Sequence, residues 1–177
     1  MRAKPLIAIL LLAIALAGCS AQPPTSKETT SATEQKPLFA TDADALAAAE
    51  AAYANYLEVS DQIARDGGAN PERLKGLVSD ALYSEQVLGY QDVQAQGLKA
   101  SGVSTFDKLN IQEITGNSIS NYVCLRLSDI RVFDSKGSDV TPPGRDDNLP
   151  LQIEWKYQGG QLVLEKSEVW TGQNFCL

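Results

Sequence analysis

LPLQIEWKYQGGQLVLEKSEVW, residues 149–170, alternates apolar and polar side chains on either side of Gly159-Gly160. A period of two over Leu149, Leu151, Ile153, Trp155 and Tyr157 is that of a strand with one buried face. Paired glycines take positive φ without strain, so the stretch predicts two antiparallel strands joined by a tight turn. Working backwards, SNYVCLRLSDIRVFDSKG (120–137) and TFDKLNIQEITG (105–116) carry the same alternation and are rich in Val, Ile, Leu, Phe and Tyr. Asp134-Ser135-Lys136-Gly137 reads as a further turn. The insert SDVTPPGRDDNLP (138–150) reads as a loop, or as an edge strand broken by Pro142 and Pro143.

Before Gly102 the texture is helical. In DADALAAAEAAYANYLEVSDQIARDGG (42–68), Leu46, Ala49, Tyr53, Tyr56, Leu57, Ser60 and Ile63 follow one face. Thr41 or Asp42 can cap the start and Gly67-Gly68 stops it. Asn70-Pro71-Glu72, followed by Leu74, Leu77 and Val78, predicts a short second helix, and SDALYSEQVLGYQDVQAQG (79–97) a third, weakened by Gly89. Helices first and antiparallel strands afterwards give the α+β class, with N-terminal helices packed on a curved antiparallel sheet.

The amino-terminal segment is of another kind. MRAKPLIAILLLAIALAGCS has Arg2 and Lys4, an apolar run from Leu6 to Ala17, and small residues before Cys19. That is the layout of a secretory signal, short of the ~20 apolar residues of a comfortable membrane span. Leu16-Ala17-Gly18-Cys19 resembles the lipobox of bacterial lipoprotein signal peptides, which implies removal of residues 1–18 and acylation of Cys19. Two or more acyl chains, at about 0.8 kcal/mol per buried methylene, hold a protein firmly on a membrane. The expected location is therefore the extracytoplasmic face of a cell membrane. Residues 20–41, rich in Ser, Thr, Pro, Gln and Glu, bury too little apolar surface to offset their ordering entropy, so 19–41 is expected to be a flexible tether and 42–177 the folded domain.

Cys124 and Cys176 are then the remaining thiols of an oxidising compartment. They are expected to pair, clipping the carboxyl-terminal end to the sheet; a redox-active or intermolecular thiol is the competing reading. The formal charge of −7, more negative still without Arg2 and Lys4, argues against nucleic acid and against electrostatic docking on anionic lipid. The chain has no histidine, so serine–histidine triads and histidine-ligated metals are excluded. There is no phosphate loop, dinucleotide fingerprint or nucleophile elbow. GRDDN (144–148) lacks the ligand spacing of a calcium loop and reads as a solvated acidic turn. No cofactor or metal is expected.

The long helix from Asp42, the strand Tyr122–Leu127, the RVFDSKG turn, the proline-rich insert and the closing QGGQLVLEKSEVW…C together resemble the NTF2-like (cystatin-like) superfamily, and more narrowly the small NTF2-like lipoproteins of actinobacterial envelopes. The resemblance covers residues 42–177 through spacing and texture. It implies a conical pocket between helices and sheet, for which Tyr53, Tyr56, Tyr90, Tyr122, Trp155 and Trp170 are candidate lining residues, though aromatics at such spacing also make core. A pocket enzyme of isomerase or hydrolase type would need a carboxylate base; Asp107, Glu113, Asp129, Glu154, Glu165 and Glu168 lie on or beside strands, mostly at solvent-facing positions, and match no catalytic motif. The expected function is thus noncatalytic binding of a partner protein or a small apolar ligand by a membrane-anchored lipoprotein. A small enzyme and a purely structural envelope component are the alternatives.

Overall fold

The computed structural model describes residues 38–177. Residues 1–18, the lipidation expected at Cys19 and nearly all of the expected tether lie outside them. Phe39, within the stretch assigned to the tether, is half-buried and packs edge-on against Tyr157.

Helix α1 runs Asp42–Arg65. Thr41 caps it, its hydroxyl accepting from the Asp44 amide, while Asp42 and Asp44 place negative charge at the positive end of the helix dipole. Ala45, Ala49, Tyr53, Leu57 and Ile63 form the buried stripe. The expected second helix is only a 3₁₀ turn, Pro71–Leu74. Gly76, at φ +83°, turns the chain out of helical geometry, and Leu77 and Val78 instead run beside the last strand: the Leu164 amide donates to the Leu77 carbonyl and the Ser79 amide to the Leu164 carbonyl. Helix α2 spans Asp80–Ala95 with Ser79 as its cap, and Gly89 is accommodated on its exposed side.

The strands are β1 (Lys99–Ser101), β2 (Thr105–Thr115), β3 (Ser118–Arg126), β4 (Arg131–Phe133), β5 (Asn148–Gln158) and β6 (Gln161–Val169). Four form an antiparallel sheet in the order β2-β3-β5-β6; β1 and β4 make a separate two-stranded ribbon. The 120–137 stretch is therefore broken, because residues 127–130 turn β4 away from the sheet to meet β1. Both residues of the β5–β6 turn have positive φ, Gly159 at +61° and Gly160 at +89°, the conformation of a tight hairpin turn.

Pro150 lies inside β5, a central strand where a missing amide normally breaks the ladder. Its carbonyl accepts from the Trp170 amide, one residue past the end of β6. Because the two backbone groups of a strand residue point the same way, the absent donor faces a place where β6 has already ended. Two α-helices packed against a curved antiparallel sheet make the fold α+β, with the core formed by the α1 stripe, Leu74, Val78 and Leu82 against Ile119, Val123, Ile153, Trp155 and Leu164.

Candidate functional site

On α1, Ala54, Leu57, Glu58, Asp61 and Arg65 recur at spacings of three and four, which puts them on one stripe. That stripe faces the segment leading into β2, and between them lies a cleft of about 320 Å³ whose other wall is Val103, Ser104, Thr105 and Phe106. Its floor is apolar, with Leu57 buried and Phe106 half-buried. Val103, 53% exposed, stands at its lip.

The polar rim is fixed from both sides. Asp61 receives the Ser104 amide on one carboxylate oxygen at 2.6 Å and the Ser104 hydroxyl on the other at 2.8 Å. Arg65 Nη1 donates to the Gly102 carbonyl at 2.9 Å. Gly102 sits at φ +88°, and a Cβ there would collide with the Asp129 carbonyl, so only glycine lets the chain pass this close to the 127–130 bend. Glu58 accepts from the Gln62 side-chain amide at 3.4 Å.

The aromatic residues expected to line an inner pocket fall in three places. Tyr53 and Trp155 fill the interior between α1 and the sheet, each about 1% exposed, with their rings edge-on at 6.3 Å; Tyr53 meets Phe106 edge-on at 5.0 Å. Tyr56 and Tyr90 lie in the seam between α1 and α2, where Gln86 Nε2 donates to the Tyr56 oxygen and Tyr90 shares a hydrogen bond with Ser60. Burial, then the nearby Tyr90 phenol, pushes the Tyr56 hydroxyl up to about 12, against the pull of the Gln86 and Ser60 hydrogen bonds. Burial also raises Tyr53 and Tyr90. Trp170 and Tyr122 are on the sheet's other face. They pack against each other at 4.7 Å, and Tyr122 also meets Phe175 at 5.5 Å.

Over that face runs the carboxyl-terminal tail. Cys124 and Cys176 form a disulfide. Arg126 donates to the Cys176 carbonyl and Lys108 Nζ to those of Phe175 and Leu177.

The candidate acids do not converge on the tyrosines. Asp107 pairs with Arg126 and Glu168 with Lys166. Glu113, Glu154 and Glu165 line a shallow depression of about 300 Å³, with Glu154 on the strand face opposite Ile153 and Trp155. In the GRDDN loop Arg145 pairs with Asp147 and donates to the Leu127 and Ile130 carbonyls, while Asp146 accepts the Asn148 amide. Among the described residues no group of three or more Cys, Asp or Glu side chains has metal-holding geometry.

Asp61, Phe106 and Asn121 belong to no motif that singles them out in the sequence. For Asn121 a signal was present: it stands between Ile119 and Val123 in a strand of period two, which turns it inward. For Asp61 and Phe106 there was none, since their meeting depends on how α1 lies against a segment some forty residues away.

No family model matches this chain, and no curated protein matches it. Solved structures similar to it include the intermembrane space region of the chloroplast protein ARC6, at 14% identity over 70% of this chain and 95% of that one, with a TM-score of 0.44. Aln2 from Streptomyces sp. is 13% identical over 70% and 87%, with a TM-score of 0.45. The beta subunit assigned to an aromatic-ring-hydroxylating dioxygenase of Novosphingobium aromaticivorans is 13% identical over 71% and 87%, with a TM-score of 0.43. Likeness this loose identifies no family and assigns no activity.

Proposed function

We propose that this is a lipid-anchored, extracytoplasmic binding protein of the NTF2-like kind, which holds a small, largely apolar ligand in the cleft between α1 and residues 102–106. The observation that carries the reading is the commitment of Asp61. With both oxygens bonded to Ser104, the carboxylate props the wall of the cleft instead of being offered to a substrate proton. Floor and rim match a binding site, apolar below with a few fixed polar groups at the edge. A cleft of about 320 Å³ lies at the small-molecule end of the usual range, whereas a stable protein interface needs about 800 Å² from each partner. The anchor rests on Cys19 following Leu16-Ala17-Gly18.

Two measurements test the two halves. Full-length protein made with labelled palmitate is expected to carry the label and sediment with membranes, and Cys19→Ser to lose both; a soluble, unlabelled wild type refutes the anchor. An environment-sensitive apolar dye is expected to bind the protein saturably, and Ala54→Trp, which fills the cleft, to weaken it at least about tenfold. Equal binding by both proteins refutes the cleft.

A further inference from the structure

Three ionisable side chains stand on the helical rim of the cleft, and they are not equivalent. Asp61 has both carboxylate oxygens bonded to Ser104, and Arg65 holds the Gly102 carbonyl, so each is fastened across to the 102–106 wall. Glu58 is bonded along its own helix instead, by the Gln62 side-chain amide at 3.4 Å, longer than such bonds usually are. It takes part in none of the four ion pairs found among the described residues. Its side chain is exposed, one residue beyond buried Leu57, which puts a carboxylate at the mouth of a cleft with an apolar floor.

The charge along the helix has one sign. From Asp42 to Ala64, α1 carries five acids, Asp42, Asp44, Glu50, Glu58 and Asp61, and no base; its single cation, Arg65, is the last residue. Arg65 lies seven residues beyond Glu58, about 10 Å along the axis at 1.5 Å per residue, a separation at which physiological salt screens most of its influence. The chain as a whole stands at −7. Such a field repels an anionic head group, is indifferent to an uncharged one and draws in a cation. We infer that the cleft selects an apolar ligand with a cationic head, a primary ammonium, whose chain lies on Leu57, Val103 and Phe106 and whose nitrogen donates to the Glu58 carboxylate. Glu58 is then the residue that sets the specificity of the site. This inference rests on the cleft being a ligand site.

Displacement of the apolar dye tests it, with competitors that share one alkyl chain and differ in head group: octylammonium, 1-octanol and octanoate, each below its micellar concentration at neutral pH. Octylammonium is expected to displace the dye at about fivefold lower concentration than octanol, the advantage of one ion pair at a partly exposed site, and octanoate to be weaker than both. Added salt is expected to shrink the advantage. The readout is the ratio of octylammonium to octanol within one protein, so a general change in the cleft cancels. In Glu58→Gln the advantage is expected to disappear, and in Glu58→Lys octanoate is expected to overtake octylammonium. Both substitutions fall at an exposed helical position and exchange one good helix former for another, so the fold is retained. An octylammonium advantage that survives Glu58→Gln overturns the assignment to Glu58. Equal displacement by octylammonium and octanol in the wild type overturns the cationic head. In both cases the dye still binds and the cleft stands; if the dye does not bind saturably, the cleft itself falls and the selectivity with it.

Discussion

Tyr56 shows how one buried hydroxyl makes stability depend on pH. Its oxygen accepts from Gln86 in the seam between the helices, and its ionisation is displaced from about 10 to about 12, chiefly by burial. In the unfolded chain it ionises near 10, so between pH 10 and 12 the unfolded state has already lost a proton that the folded state keeps. Stability is then fully present below pH 10 and falls as the pH rises through that window. Tyr53, raised further by burial, extends the same trend. Urea midpoints measured from pH 8 upward are expected to drop beyond 10. In Tyr56→Phe the drop is shallower, starting from a neutral-pH stability about 1 kcal/mol lower for the lost hydrogen bond. Tyrosinate absorbance tracks the same event: if every tyrosine of the folded protein ionises in a single step near pH 10, burial is not holding these groups.

At the scale of elements, the tail after β6 has no strand or helix to hold it, and its hold comes from separate fastenings. The Cys124–Cys176 disulfide bridges a sequence separation of 52, for which the chain-entropy model gives roughly 4 kcal/mol. Arg126 and Lys108 hold the carbonyls of residues 175–177, and Phe175 and Trp170 both lie on Tyr122. Reduction, or Cys176→Ala, is expected to lower the unfolding free energy by up to about 4 kcal/mol, with the side-chain contacts keeping the tail partly in place. Denaturant curves with and without reductant check the first expectation and proteolysis after residue 170 the second; unchanged stability on full reduction would show that the bridge adds nothing beyond the other fastenings. A second element depends on one residue. Gly102 combines a positive φ with backbone contact to the Asp129 carbonyl and supplies the carbonyl that Arg65 holds. Gly102→Ala is expected to destabilise by more than about 1 kcal/mol and to weaken dye binding in the cleft, since the wall must shift. Thermal melts and the dye titration read both effects.

For the whole molecule, what was legible in the sequence was whatever repeats locally. The α1 stripe, the Gly159-Gly160 hairpin and the alternation through β2, β3 and β5 set the α+β class, because period and turn chemistry act over a few residues. The bend at 127–130, the β1–β4 ribbon and the run of Leu77-Val78 beside β6 were not legible, since each is decided by a partner distant in the chain. The cleft was hidden for that reason, and Trp170 and Trp155 could not be assigned to opposite faces without knowing where β6 ends. The same division between central and peripheral structure predicts how the molecule opens. β3 and β5 are hydrogen-bonded on both sides and carry the fully buried residues Ile119, Val123, Ile153 and Trp155. The β1–β4 ribbon has three residue pairs and is joined to the proline-rich loop by few backbone bonds. Local opening free energies follow burial and bonding density, so amide exchange is expected to be slowest at 119–125 and 151–157 and orders of magnitude faster at 99–101 and 131–147. If the ribbon exchanged as slowly as β3, the two sheets would open as one cooperative unit, and the 127–130 bend, with Arg145 bonded to the Leu127 and Ile130 carbonyls, would have to be the joint that couples them.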